Sequence, residues 1–162
     1  MDKHLSVTES SYSFEDLFTA ENISEETKGK LTDDSIVAIP GKYSEGEYYF
    51  AQETIEFIKF CRENDKDHSI ELLAEGDIKV RSLHSFDIWM PVLWIATEIL
   101  LPLAVGLVTN YLYDKMKGRE HEDAKVDLTV IIGSGKNKKE IRYNGDAKTF
   151  KDTFEKIDIN KL

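Results

Sequence analysis

Disulfides within the chain are excluded at once, because its 162 residues contain a single cysteine, Cys61. A lone thiol fits a reducing compartment. The four histidines, His4, His68, His84 and His121, are dispersed, with no HxxxH, HxH or CxxC spacing, so no metal site is expected. Proline is scarce, three in all. There is no internal repeat of solenoid type and no low-complexity segment. The opening stretch, MDKHLSVTESS, has no apolar signal region, so no leader is expected there.

Positive charge is also short. The formal net charge is −10, which disfavours nucleic acid and anionic membrane surfaces as partners. The imbalance is local: residues 1–87 hold 20 acidic and 9 basic side chains, whereas residues 88–162 hold 11 and 12. An acidic N-terminal half of this kind would steer a basic protein partner.

Long apolar runs are absent with one exception, Ile88 to Tyr113, IWMPVLWIATEILLPLAVGLVTNYLY. As one helix it would measure roughly 39 Å, enough to cross a hydrocarbon core or to form the central helix of a small domain. Asp87 can cap its start and Pro91 can occupy its first turn. Lys115 and Lys117 suit its last turn, and Gly118 a left-handed cap. Pro102, inside such a helix, should kink it. Glu98, Pro102, Gly106, Asn110 and Tyr113 recur at steps of four, four, four and three, which places them on one side. A buried polar stripe is expected there, with Glu98 paired and Gly106, Asn110 and Tyr113 contacting protein. A helix facing lipid all round gains nothing from such a stripe.

Before this run, Ser13 and Ser24 open short helices and Ile36–Ile39 is a strand closed by Pro40-Gly41. Tyr48 to Arg62 has helical spacing, and Cys61 late in it suits a buried structural thiol better than a nucleophile. Residues 70–73 and 78–83 form a possible hairpin around Glu75-Gly76. After it, Val126, Leu128, Val130 and Ile132 alternate with Asp127, Thr129 and Ile131, a strand. Lys139–Tyr143 returns as its hairpin partner, Asn144-Gly145 turns, and Ala147, Phe150, Phe154 and Ile157 share a helical stripe. Gly133-Ser134-Gly135-Lys136 matches part of a phosphate loop, but Val130 and Asn137 stand where the pattern needs glycine and a hydroxyl, and a strand follows. It reads as a hairpin loop with a solvated cluster of Lys136, Lys138 and Lys139.

These features predict an α+β chain: an acidic module over 1–87, a long apolar helix over 88–118, and a hairpin plus helix over 126–162. The helical LPLAVGLVTNYLYDKMKG and the terminal VDLTVIIGSGKNKKEIRYNGDAKTFKDTFEKI, within residues 82–157, resemble small accessory proteins of bacterial conflict and anti-phage systems. The resemblance lies in element order and apolar spacing. It implies an accessory or effector-partner role and transfers no active-site residue.

No convergent residue set supports catalysis and no cofactor is expected. The first reading is a non-enzymatic cytoplasmic interaction subunit that binds a protein partner or a second copy. The alternative is a single-span or re-entrant membrane protein acting as a defence effector or anchor, with Lys115, Lys117 and Arg119 on the cytoplasmic side.

Overall fold

A computed structural model of the chain describes residues 4–43, 46–82, 88–118 and 123–156. The chain is mixed α+β, built on a six-stranded sheet of strand order β1-β9-β8-β7-β2-β5. The strands are β1 (Leu5–Glu9), β2 (Ser35–Ile39), β5 (Ser69–Leu72), β7 (Ile88–Ile95), β8 (Lys125–Ile132) and β9 (Lys139–Asp146). A second, three-stranded sheet joins β3 (Gly41–Lys42), β4 (Tyr48–Ala51) and β6 (Val80–Arg81). The main sheet draws strands from both halves of the sequence.

The apolar run is not one helix. Ile88–Ile95 is strand β7, paired with β2 antiparallel and with β8 parallel. Its composition explains this. Ile88, Trp89, Val92, Trp94 and Ile95 are β-branched or aromatic, and a strand between two neighbours with both faces covered is apolar at every position. Pro91 lies where the β7–β8 register shifts, between Trp89 and Val92. A bulge is the place a central strand tolerates a residue with no N–H. Asp87, expected to cap a helix, lies outside the described residues.

After β7 the chain turns through a short 3-10 segment, Glu98–Leu100, into α4, Leu101–Met116. Pro102 falls in the first turn of α4, where its missing N–H is no loss, so it starts the helix rather than kinking it. Lys115 lies in the last turn and Gly118 takes φ +82°, as the end of the run suggested. No helix among the described residues is long and apolar enough to cross a membrane. Residues 88–113 therefore do not form the one long helix expected, because the run divides between a strand and a helix of 16 residues.

Other boundaries are local. Ser13 caps α1 (Phe14–Ala20) by accepting from the Asp16 N–H, and Ser24 caps α2 (Glu25–Lys28) by accepting from the Thr27 N–H. Tyr48–Ala51 is strand, and helix α3 begins only at Thr54 and runs to Asn64. β5 lies parallel to β2, while Val80–Arg81 pairs with β4, so the hairpin expected around Glu75-Gly76 does not form. β8 and β9 pair in antiparallel register from Lys125↔Asp146 to Ile132↔Lys139 around the Gly133–Lys138 loop. Asn144 and Gly145 stay within β9, and α5 covers Phe150–Glu155.

The sheet separates two cores. On one face α3, α4 and α5 cover Ile36, Met90, Leu93, Leu128, Val130 and Tyr143, among others. On the other, Leu17 of α1 and Tyr48 of β4 pack on Val37, Ile39, Trp94 and Ile131. At about 25 cal/mol per Å2 of apolar surface removed from water, these layers are the main source of stability.

Candidate functional site

Helix α4 turns Leu101, Ala104, Leu107, Val108, Tyr111, Leu112 and Met116 into the core. Those positions repeat at three and four and form one helical side. The stripe singled out in the sequence is the opposite side. Glu98 is exposed in the turn before α4, Pro102 and Asn110 are exposed, Gly106 is half-buried, and Tyr113 is 75 % exposed. The spacing holds, but the expectation of a buried stripe with a paired Glu98 does not. Once β7 is a strand, Glu98 no longer sits within a continuous helix, and the apolar side of α4 takes the core position.

That outer side forms one wall of a groove whose other wall is α5. One stretch holds about 450 Å3 and is lined by Leu101, Pro102, Val105, Gly106 and Asn110 opposite Lys151, Phe154 and Glu155. A second, of about 280 Å3, is lined by Leu112, Tyr113 and Met116 opposite Ala147, Lys148 and Phe150. Thr109 and Lys151 border both stretches, so the groove follows α4 for most of its length. The Thr109 hydroxyl donates to the Val105 carbonyl at 2.8 Å, which satisfies it inside the helix. Gly106 keeps the floor open: a Cβ built there meets nothing within 4 Å. The wall opposite α4 carries Lys148, in the 3-10 turn Ala147–Thr149 that leads into α5, and Lys151 of α5, which lies 3.7 Å from Glu155 on the same wall. The sequence stripe missed Val105, Thr109, Lys148 and Lys151. Lys148 and Lys151 stand on the 3-10 turn and the short helix α5 after it, whose position beside α4 only the tertiary fold creates.

Two polar clusters lie elsewhere. Between α3 and α4, the buried Glu53 carboxylate accepts from the Tyr111 hydroxyl at 2.7 Å and pairs with Lys115 at 2.8 Å. Glu56 takes the same two donors at 3.3 and 3.1 Å. The Lys115 hydrogen bond holds the Glu56 carboxyl below its usual range. Burial opposes the Lys115 charge, but the two carboxylates outweigh it and raise its pKa. Burial, then the Glu53 hydrogen bond, raises Tyr111. This network of Glu53, Glu56, Tyr111 and Lys115 clamps α3 and α4 together.

On the other face of the sheet, Asp127 is buried beside Trp89, whose indole donates to it, and near Arg142. Burial raises the Asp127 pKa, while Arg142 and Trp89 act against that. Arg81 lies over Tyr43, 4.7 Å from the ring centre, and over Tyr49 at 5.8 Å. Cation–π contacts of this kind hold β6 against β4 and the β3–β4 connection within the small sheet.

The remaining candidates from sequence fall out as follows. Cys61 is fully buried on α3, and burial pushes its thiol up to about 12, so it carries no thiolate at neutral pH. His84 and His121 lie outside the described residues. Among the described residues, no group of three or more His, Cys, Asp or Glu is placed to hold a metal. The GSGK stretch is the β8–β9 loop. Lys138, expected in its solvated tip, is instead buried, with its ammonium donating to the Gly135 carbonyl at 2.6 Å. Trp94 likewise donates its indole N–H to the Gly133 carbonyl at 2.8 Å. Two of the loop's carbonyls, Gly135 and Gly133, thus accept from an ammonium and an indole N–H. No family model, no curated protein and no solved structure matches the chain.

Proposed function

We propose that the chain is a non-enzymatic interaction subunit that docks a segment of a protein partner in the α4–α5 groove. One observation carries this reading: Pro102, Gly106, Asn110 and Tyr113 line an open, apolar-floored groove instead of a packed interface. Its volume is that of a site taking a few apolar side chains. The rim lysines, Lys148 and Lys151, favour a segment that brings carboxylates beside its apolar residues. The acidic N-terminal half adds a preference for a partner whose surface is basic elsewhere. An accessory role in a bacterial conflict or anti-phage system is what the resemblance of residues 82–157 supports. A cytoplasmic setting is supported by the free, buried Cys61.

The test is selection of a displayed random-peptide library on the full chain. Enriched peptides should carry two or more apolar residues flanked by Asp or Glu. Gly106→Trp, whose Cβ starts in open space on the groove floor, and Lys151→Glu should each weaken those peptides by roughly tenfold or more, the loss of one central contact, with the melting temperature unchanged. Absence of enriched peptides, or binding indifferent to both substitutions, overturns the proposal.

A further inference from the structure

The two edges of the main sheet are finished differently. Backbone N–H and C=O groups of one strand residue point the same way and alternate along the strand. On β5, Leu73 N–H donates to the Ala38 carbonyl, so Ser69, Glu71 and Leu73 face β2 while Ile70 and Leu72 face outward. Both outward carbonyls are taken by cations: Arg62 Nε donates to Ile70 at 3.0 Å and Lys30 Nζ to Leu72 at 3.0 Å. That edge is closed, as native edge strands commonly are.

On β1, the Asn144 N–H donates to the His4 carbonyl and the Ser10 N–H to the Lys138 carbonyl. With Leu5 opposite Tyr143 and Val7 opposite Ile141, residues 4, 6, 8 and 10 face β9. Leu5, Val7 and Glu9 therefore direct their backbone groups outward. Among the described residues, no side chain donates to the outward carbonyls of Leu5 and Val7. Val7, at the middle, is 43 % exposed.

We infer that β1 is a pairing edge for a second copy of this chain, antiparallel and centred on Val7. The parity makes the strand self-complementary. Val7 would exchange both hydrogen bonds with Val7 of the second copy, and Leu5 would do the same with Glu9. Between them Ser6 stands opposite Thr8, the hydroxyl pairing that antiparallel ladders favour, and no like charges face each other. The two main sheets become one continuous sheet through a closed two-fold contact. This inference is independent of the groove, which lies between helices on one face and not at the sheet edge.

Sedimentation equilibrium of the full chain from micromolar to millimolar concentration tests it. The dimer fraction should rise with concentration. Val7→Pro removes an N–H that β9 does not use, so the fold should persist and the dimer should vanish. Val7→Lys sets two ammonium groups against each other across the two-fold and should act alike, which covers a failure of the proline variant to fold. Register is read by mixing a Ser6→Cys chain with a Thr8→Cys chain: oxidation should link the mixture and neither variant alone. A monomer throughout the range, a dimer indifferent to both Val7 substitutions, or one dissolved instead by Gly106→Trp overturns the inference.

Discussion

Ile88–Ile95 and Leu101–Met116 are the two halves of one apolar run, and they fold in opposite ways. The first half is a strand between two others, sealed by helices on one face and by α1 and β4 on the other, and seven of its eight residues are buried. The second is a helix whose inner side is core and whose outer side is the groove wall. Apolar density is the same signal in both. What differs is the number of sides on which each is enclosed: a central strand is covered above and below, whereas a surface helix is covered along one stripe.

The sharpest way to break this comparison is a deletion in β7. Leu93 is fully buried, and Leu93→Ala should cost about 2–5 kcal/mol, read as a shift in the urea midpoint at constant m. A small cost there would mean the strand is not central. Next comes the clamp that fixes α4 on α3. Glu53→Gln removes the buried charge facing Lys115, but Lys115 is partly exposed and keeps Glu56. The expected loss is therefore about 1–3 kcal/mol, below that of a fully enclosed pair, and a double-mutant cycle with Lys115→Met should recover part of it.

A smaller effect separates the strand's other face. Asp127, beside Trp89 of β7, has its pKa raised in the folded state. A carboxyl of this kind holds its proton more tightly when folded, so its favourable contribution is complete below the ordinary Asp range. It is lost as pH rises through the folded pKa. Asp127→Asn removes that loss. It should melt above the parent chain at neutral pH, and the difference should fade toward acid pH; thermal melts at several pH values read this. A gap that widens in acid would show that the carboxylate is favoured by its neighbours instead.

The smallest effects belong to the outer side of α4 and the turn before it. Glu98→Leu and Tyr113→Ala should each change stability by no more than about 0.5 kcal/mol, because both residues are exposed. Tyr113→Ala should still reduce binding of groove-selected peptides. A large destabilisation by Glu98→Leu in thermal melts would mean the acid is packed against protein after all.

Where a feature is local, the sequence was legible. Ser13 and Ser24 cap α1 and α2 because a hydroxyl reaches an amide three residues on, without help from the rest of the chain. The β8–β9 hairpin shows in the alternation of Val126, Leu128, Val130 and Ile132 about a glycine-containing loop. The spacing of Pro102, Gly106, Asn110 and Tyr113 marks one side of a helix. Spacing cannot say whether that side is packed or open, since the same stripe serves either.

β7 was unreadable for a different reason. A strand buried on both faces has no polar alternation, so it carries no period and merges with the apolar helix after it. The parallel pairing of β2 with β5, the β1 edge beside β9, and the meeting of α4 with α5 join residues far apart in sequence. The chain itself determined its composition class, its local caps and the terminal hairpin. Tertiary structure decided which half of the apolar run became a strand, which side of α4 lines the groove, and which edge of the sheet has its outward carbonyls taken by Arg62 and Lys30, because each depends on where distant segments lie.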